Sequence, residues 1–353
     1  MHSLTRRSVL SGTAAAGAAI AMPISARAVA PLAAKQAPSF YRYKLGDDEI
    51  TIVHDGARSF PPPDIFVRNV STDEALAAAE AAYMPKGMVT VPFNPTVINT
   101  GSKLVLIDSG YGPNIAPTVG LLPANMAAAG IDPKQIDIVV LSHLHPDHIN
   151  GIRAADGSPA FPQAEIKVPA VDWAFWADEG NMNQAQGFMV DYFKNFHRVF
   201  DPIKGKLTKY EWGQDVGPGI SALDTRGHTP GHTSFAVASG SAKVLIQSDV
   251  SNIPDLFLRH PDWQVMYDID RNRRLRRATN STTWPRRRRR PSSASIFRSH
   301  RSVMSRRTAP ITGLCRRPGT ERCRQGLSLA AASEVYDRGR WRALQAHLQP
   351  RRR

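Results

Sequence analysis

The sequence predicts a domain of the α/β class in which layered sheets pack with helices. Candidate strands and helical segments alternate along residues 31–270, which is typical of a mixed, layered fold. Two nearly unbroken apolar runs, "IDIVVLSH" (136–143) and "AKVLIQSDV" (242–250), end in polar side chains, as expected of strands buried on both faces. The chain has 353 residues, 42% of them hydrophobic, so it can bury a sizeable core.

The first part of the chain predicts a strand, a helix, a hairpin and a second helix. Ser71 is a candidate N-cap, because its hydroxyl can accept an early backbone N–H of the alanine-rich helix that follows. The turn Thr100-Gly101-Ser102 joins the apolar runs of the hairpin, and Gly130 ends the second helix. The segments are, in order, "DEITIVHDGARSF" (48–60), "STDEALAAAEAAY" (71–83), "PTVINTGSKLVLIDSGYG" (95–112) and "TVGLLPANMAAAGI" (118–131).

The later part of the chain, between the two apolar runs, predicts a strand, two helices with aromatic stripes and a strand–loop–strand unit. The aromatic side chains of these helices favour packing in a core over reading a substrate, although some could wall an apolar pocket. They are Trp173, Phe175, Trp176, Phe188, Tyr192, Phe193 and Phe196. The segments are "AEIKVPA" (164–170), "WAFWADEG" (173–180), "QAQGFMVDYFKNFHRVF" (184–200) and "GISALDTRGHTPGHTSFAVAS" (219–239).

The formal charge of +15 is distributed unevenly along the chain. Residues 1–270 hold 21 Lys and Arg against 27 Asp and Glu, whereas residues 271–353 hold 24 basic and 3 acidic residues, every basic one an Arg. Both cysteines, Cys315 and Cys323, also lie in the basic segment. A metal site in the first 270 residues must therefore use His and carboxylate ligands rather than thiolates.

The first thirty residues have the order of an export signal. Arg6 and Arg7 precede the small, apolar run "TAAAGAAIAMPI", and Ala26 and Ala28 supply small residues at a cleavage site. The paired arginines resemble a bacterial twin-arginine signal and predict a periplasmic or extracellular protein. The alternative is an uncleaved membrane anchor, but the run is shorter than the roughly 20 residues of a span.

Three histidines and an aspartate lie within six positions of the stretch "LSHLHPDHINGI" (141–152). A tight turn after a buried strand can direct His143, His145, Asp147 and His148 into one space. Imidazole nitrogens and carboxylate oxygens suit zinc, and a catalytic zinc usually takes three protein ligands and keeps one open position. Four candidate ligands in one loop are too many for a single such ion.

Further candidate ligands follow in the second half of the chain. "TRGHTPGHT" carries His228 and His232 on a glycine-flanked loop. Asp249 ends an apolar strand, where a carboxylate can bridge two cations. By contrast, His54, His197 and His260 have no such neighbours in the sequence and are interpreted as structural or surface residues.

Together these motifs resemble the metallo-β-lactamase superfamily over about residues 40–270. The resemblance implies an αββα sandwich with two zinc ions at one edge of its sheets. It implies that His143, His145 and His228 hold the first metal, that Asp147 and His148 hold the second, and that Asp249 bridges them. It also places Asp108 and His232 beside the metals as supporting residues that are not ligands.

The same resemblance implies a reaction and a branch of the superfamily. A metal-bound hydroxide would attack the substrate, and Asp147 would be the catalytic residue that supplies a proton to the leaving group. The branch is similar to methyl parathion hydrolases and acyl-homoserine lactonases, so the expected substrate is an ester, a lactone or a phosphotriester. The partner is therefore a small molecule, with no specific nucleic acid and no stable membrane span expected, and a homodimer remains an option.

The resemblance also calls for one more metal-binding histidine, which the arginine-rich segment does not supply. Three explanations stay open for residues 271–353: a nucleic-acid-binding arm, a disordered tail, or a shift of the reading frame, which we favour. Joining the last base of each codon to the first two of the next permits "HLPFPSVGHV" over residues 295–305, "DYRFVPASW" over 310–319 and "DELYDMA" over "ATNSTTWP", followed by a stop at Thr320–Glu321. "HLPFP" is similar to the branch's motif for its last metal histidine, whereas His300 is in the wrong frame.

A frame shift would leave the second metal site one ligand short and the sandwich without its closing elements. We therefore expect weak binding of the second zinc and low stability for this chain. The alternative function is a decayed, non-catalytic metallohydrolase or a nucleic-acid-binding chain that uses the arginine-rich segment.

Overall fold

The computed structural model describes residues 37–113 and 115–270. The expected signal peptide, residues 1–30, and the arginine-rich segment, residues 271–353, lie outside these residues, so the predictions about them stay predictions. No helix in the described part of the chain combines the length and the apolarity that a membrane crossing requires.

The described residues form thirteen strands in three sheets. The strands are β1 (Phe40–Leu45), β2 (Asp48–Val53), β3 (Gly56–Phe60), β4 (Val89–Phe93), β5 (Thr96–Asn99), β6 (Leu104–Ile107), β7 (Ile138–Val140), β8 (Glu165–Pro169), β9 (Leu207–Tyr210), β10 (Asp215–Gly217), β11 (Ile220–Asp224), β12 (Thr233–Ser239) and β13 (Ala242–Ile246). Seven strands pair in the order β1-β2-β5-β6-β7-β8-β9, four in the order β10-β11-β12-β13, and β3 pairs with β4 alone.

The described residues also form seven α-helices. They are α1 (Thr72–Ala81), α2 (Leu122–Ala128), α3 (Pro146–Ile149), α4 (Ala170–Trp176), α5 (Glu179–Gln184), α6 (Phe188–Phe200) and α7 (Pro254–Phe257). Short 3₁₀ turns cover Pro133–Gln135, Asn150–Ile152, Lys204–Lys206 and Ser248–Ser251. Ser71 caps α1 as predicted, because its hydroxyl accepts the Glu74 N–H at 3.2 Å.

The predicted α/β layering is confirmed by the way alternate strand residues divide between two cores. On one face of the seven-stranded sheet, Val97 and Leu106 pack with α2 and the aromatic helices α4 and α6. On the opposite face, Ile98 and Ile107 pack against the four-stranded sheet. Successive side chains of a strand point to opposite faces, so these short apolar strands lie between a helix layer and a second sheet.

A third cluster joins α1 and α7 to the β3–β4 ribbon. The expected loss of the elements that would close the sandwich concerns residues 271–353, which lie outside the described residues, so it stays a prediction. Within the seven-stranded sheet, β6, β7 and β8 run parallel, and Ile107 pairs with Val140. The carboxyl ends of these parallel strands therefore share one sheet edge, and Asp108 and the loop from Leu141 onward emerge there together.

The strand predicted in "DEITIVHDGARSF" (48–60), with Asp55-Gly56 as its boundary, ends just before that pair, and a second strand follows it. The chain leaves the large sheet after Val53 and starts the β3–β4 ribbon at Gly56. The buried Asp55 carboxylate accepts the N–H groups of Tyr111 at 2.7 Å and Leu122 at 2.8 Å, and Gly56 takes a φ of 111° that side chains disfavour. The strand is therefore broken at Asp55.

Candidate metal centre

The first metal-binding candidates lie on the loop that follows β7. This loop continues from the buried strand through Leu141 and Ser142, and Pro146 then starts the one-turn helix α3. His143 and His145 are almost fully buried, at 0% and 3% exposure. Buried imidazoles cannot form hydrogen bonds with water, so their nitrogens need hydrogen-bond partners or a metal ion inside the protein.

His228 reaches the same point from the loop between β11 and β12. Its Nε2 lies 3.0 Å from His145 Nδ1, close to the roughly 3.3 Å that separates two nitrogens bound to one tetrahedral zinc. On the other side of the ring, His228 Nδ1 lies 2.9 Å from an oxygen of the buried Asp268 carboxylate. An Nδ1–H donated to Asp268 leaves the Nε2 lone pair directed at His145.

The three imidazoles fit a metal ion. One nitrogen each of His143, His145 and His228 lies within 4.8 Å of the others. His143 Nδ1 is engaged by the Ser142 hydroxyl at 3.0 Å, whereas the buried Nε2 atoms of His143 and His145 have no hydrogen-bond partner. Burial lowers the pKa of both rings well below the usual value, helped by the neighbouring histidines. Neutral imidazoles are ligands that zinc prefers, and the nitrogen through which His145 faces His228 is Nδ1.

A second group forms beside the first around His148 and Asp249. The two oxygens of Asp249 lie 3.7 Å from His148 Nε2 and 3.6 Å from His228 Nε2, so this carboxylate stands between the two groups. Asp147 Oδ2 lies 3.4 Å from His148 Nε2. His143, His148 and Asp249 also satisfy the distances of a metal site on their own.

Opposite charges face each other in this second group. Burial disfavours the charged form of His148, but the carboxylates of Asp108, Asp147 and Asp249 outweigh it and raise the pKa of His148 well above its usual value. Burial likewise opposes ionisation of Asp249, yet His148 and His228 hold the pKa of that carboxyl well below its usual range. Three carboxylates facing one imidazole make a site that attracts a cation.

Asp108 supports the metal loop from the end of β6. Its carboxylate accepts hydrogen bonds from the Ser142 N–H at 2.7 Å and the Ser142 hydroxyl at 2.8 Å, and it lies 2.9 Å from His148 Nδ1. Asp108 has a φ of 60°, and Ser248, whose hydroxyl donates to Ser142 at 2.7 Å, has a φ of 48°. Such left-handed residues cost on the order of 1–2 kcal/mol each and are concentrated at functional sites.

His232 is committed to hydrogen bonds on both ring nitrogens. Its Nε2 accepts the Asp249 N–H at 3.0 Å, and its Nδ1 lies 2.9 Å from the Thr225 hydroxyl. Burial lowers the pKa of His232 to about 3, so the ring is neutral. This arrangement leaves no free lone pair for a metal, and it positions the backbone of Asp249.

Two buried aspartates of the site were not recognised in the sequence. Asp172, at the start of α4, accepts the Leu144 N–H at 2.9 Å and the Gly231 N–H at 2.8 Å, and so joins the two loops that carry the histidines. Burial raises the pKa of Asp172, and these hydrogen bonds oppose that effect. Asp268 fixes His228. The available signal was an acidic residue inside an apolar stretch, as in "VPAVDWAFW", where an unpaired charge is costly.

All eight residues predicted for the site lie together at this sheet edge, although their individual roles stay predictions. They are Asp108, His143, His145, Asp147, His148, His228, His232 and Asp249. The three histidines interpreted as structural lie in other contacts: His54 with Asn94, His197 with Asp201, and His260 stacked on Trp263.

A cleft that is open to solvent leads to the metal centre. Its floor includes His145, Asp147, His228 and Asp249. Its walls are mostly aromatic and apolar, with two further polar residues, and consist of Arg58, Phe60, Val91, Phe93, Tyr111, Tyr192, Asn252 and Tyr267. Of the seven aromatic residues of the helices, most pack in the first core, and Tyr192 walls the cleft with its ring 5.1 Å from that of His145.

The profile of the metallo-β-lactamase superfamily matches residues 91–281, more than half of the chain. The chain belongs to this superfamily. The predicted fold is thereby confirmed, and the protein is a hydrolase of the metallo-β-lactamase fold with lactonase-like relatives. The metal-binding candidates, residues 143–249, all lie inside the matched segment.

Individual relatives point to the same branch. N-acyl homoserine lactonase AttM of Agrobacterium fabrum is 26% identical over 199 residues, which cover 51% of this chain and 69% of AttM. The solved structure of AbOPH, a hydrolase of the beta lactamase superfamily, is 27% identical with a TM-score of 0.65 over 70% of this chain and 86% of its own. The dizinc quorum-quenching lactonase AidC shares the fold at 24% identity and a TM-score of 0.64, over 69% and 85% of the two chains.

Proposed function

We propose that this metallo-β-lactamase hydrolase uses zinc to cleave a lactone or an ester with apolar parts, with a phosphotriester as the alternative substrate. The observation that carries the proposal is the convergence of His143, His145 and His228 from two loops at the floor of a cleft. The similarity to the lactonase AttM supports the substrate class. Bound zinc would supply a Lewis acid that polarises the substrate carbonyl and makes water acidic near neutral pH.

We propose that the first ion is held by His143, His145 and His228 and binds tightly. The second would be held by Asp147, His148 and Asp249, with Asp249 shared between the two. A shifted reading frame in residues 271–353 would remove the histidine that completes the second site. A purified chain should therefore bind one zinc ion tightly and a second only weakly, as a count of bound ions during zinc titration would measure.

The chain's own residues have distinct tasks in this proposal. Asp147 lines the cleft with a half-buried carboxylate and can carry a proton to the leaving oxygen. Burial and the charge of Asp147 raise the pKa of Tyr111 and the pKa of Tyr267. The same two causes raise the pKa of Tyr192 well above its usual value. All three tyrosines therefore keep their hydroxyl protons. These hydroxyls can donate hydrogen bonds to substrate oxygens, and the aromatic walls exclude water around an apolar group.

The test uses zinc-loaded protein, an acyl-homoserine lactone, 4-nitrophenyl butyrate and a phosphotriester. We expect hydrolysis of the lactone or the ester that is lost on chelation and in His145→Ala. The matched control is His197→Ala, a half-buried histidine on α6 whose partner is Asp201, which should retain activity. Cleavage that survives chelation, or equal losses in both variants, would disprove a metal-dependent reaction; preference for the phosphotriester would select the alternative substrate. Export through the twin-arginine pathway is a separate proposal that rests on Arg6 and Arg7, the apolar run after them, and the small residues Ala26 and Ala28.

A further inference from the structure

One wall of the cleft is formed by a face of the β3–β4 ribbon. Arg58 and Phe60 lie two residues apart on β3, so both project from the same face. Val91 pairs with Arg58 across the ribbon and also lines the cleft. The ribbon thus places one cation among apolar side chains at the entrance to the metal centre.

Arg58 is exposed and is held in place by an uncharged neighbour. One of its guanidinium nitrogens donates to the Tyr111 hydroxyl at 3.1 Å, and the guanidinium lies 5.7 Å from the centre of the same ring. Tyr111 is itself fixed, because its N–H donates to the buried Asp55 and its ring packs edge-on against Phe93 at 5.0 Å. Within residues 37–113 and 115–270, Arg58 takes part in no ion pair. The guanidinium is therefore oriented but its charge is not compensated.

The other charged or ionisable groups of the cleft floor, Asp147, Asp249 and the histidines, belong to the proposed metal centre. Arg58 is the lining residue whose positive charge is independent of pH and which offers no lone pair to a metal. A guanidinium with free N–H groups binds a carboxylate through two parallel hydrogen bonds. An uncompensated guanidinium beside apolar walls is suited to a substrate that is apolar in the middle and anionic at one end.

We propose that Arg58 forms an anion-binding subsite that selects esters or lactones whose acyl part ends in a carboxylate. This inference rests on the proposed hydrolytic function and names its substrate class. The acyl chain lies along Phe60, Val91 and Tyr111, with the scissile carbonyl at the metal centre and the remote carboxylate at Arg58. Arg58 is a specificity-determining residue and does not take part in bond cleavage.

The test compares two matched esters, 4-nitrophenyl butyrate and the mono-4-nitrophenyl ester of glutaric acid, with wild type, Arg58→Gln and Arg58→Lys. We expect Arg58→Gln to lower the ratio of kcat/KM for the anionic ester to that for the neutral ester by about tenfold, mainly through KM. Arg58→Lys should keep part of the preference, because it retains the charge without the planar fork. The charge-matched control is Lys134→Gln, which removes an exposed cation at the Pro133–Gln135 turn and should leave the ratio unchanged.

The preference should also weaken as salt is raised, since the subsite is exposed. A ratio in Arg58→Gln equal to that of wild type would overturn the proposal. If kcat/KM falls equally for both esters, Arg58 only supports Tyr111. If wild type cleaves neither ester, the proposed function is judged on the lactone and the phosphotriester, and the subsite is tested by calorimetric binding of monomethyl glutarate. Binding about tenfold weaker in Arg58→Gln then supports the subsite, whereas equal binding to both proteins overturns it.

Discussion

The substitution Asp172→Asn tests whether one buried carboxylate holds the two metal-binding loops together. Asp172 Oδ2 accepts from the Leu144 N–H at 2.9 Å and the Trp176 Nε1–H at 3.2 Å, and Oδ1 accepts from the Gly231 N–H at 2.8 Å. Asparagine keeps one acceptor oxygen and turns an NH₂ group toward the remaining donors. At least one buried N–H then loses its partner, at about 1–3 kcal/mol for each such group.

Gly231 leaves the loops little room to relax, since a Cβ at this position would lie 2.1 Å from the backbone nitrogen of Asp172. We therefore expect Asp172→Asn to lower the free energy of unfolding by at least about 1–3 kcal/mol and to weaken zinc binding by about 10–100-fold. Urea unfolding followed by tryptophan fluorescence measures the first quantity, and competition with a chelating dye measures the second.

The matched control is Asp178→Asn. Asp178 caps α5 by accepting the Asn181 N–H at 2.8 Å, and asparagine caps a helix about as well as aspartate, so its effect should stay within about 0.5 kcal/mol. Unfolding and zinc affinity in Asp172→Asn that match wild type would refute the idea that this carboxylate joins the loops. Loss of stability with unchanged zinc affinity would show that it supports the fold alone.

Three further predictions concern pH, orientation of a ligand and the metal itself. Burial raises the pKa of Asp55 from 3.8 to about 6, so the folded protein gains stability from the Asp55 proton below about pH 4 and loses it as the pH rises to about 6. The free energy of unfolding of wild type, relative to that of Asp55→Asn, should therefore fall by up to about 3 kcal/mol over this range. Urea unfolding measures it, and a difference that does not change with pH would contradict the prediction. Asp268→Ala should weaken zinc binding about 10–100-fold because His228 Nδ1 loses its partner; unchanged affinity in the dye assay would rule out this orienting role. At a free zinc concentration of 100 times the Kd for zinc, removing the ion should lower the free energy of unfolding by about 2.7 kcal/mol. An identical Tm with and without chelator would show that no site in the folded protein binds the ion.

The local part of the site was predictable because its residues are close in sequence. His143, His145, Asp147 and His148 share one short loop, and the spacing of alternate side chains after a buried strand is sufficient to bring them together. His228 and Asp249 were predictable through the resemblance of their motifs to a known superfamily. The hairpin 95–112 and the N-cap Ser71 follow from turn and capping chemistry, which depends only on neighbouring residues.

The parts that could not be predicted depend on contacts between distant residues. Asp172 bonds Gly231 across 59 positions, and Asp55 bonds Leu122 across 67. Neither pairing leaves a periodic pattern in the sequence, because each buried carboxylate is satisfied by backbone N–H groups of any residue type. Likewise, the proposed role of Arg58 depends on the β3–β4 ribbon, which places the guanidinium at the cleft, and the sequence alone does not show this.

Anomalous X-ray scattering at the zinc edge from zinc-soaked crystals tests the central claim most directly. The geometry predicts a strong peak surrounded by the imidazoles of His143, His145 and His228, and a weaker peak beside His148 and Asp249. A map without a peak among the first three histidines, with their rings hydrogen-bonded to one another instead, would contradict it.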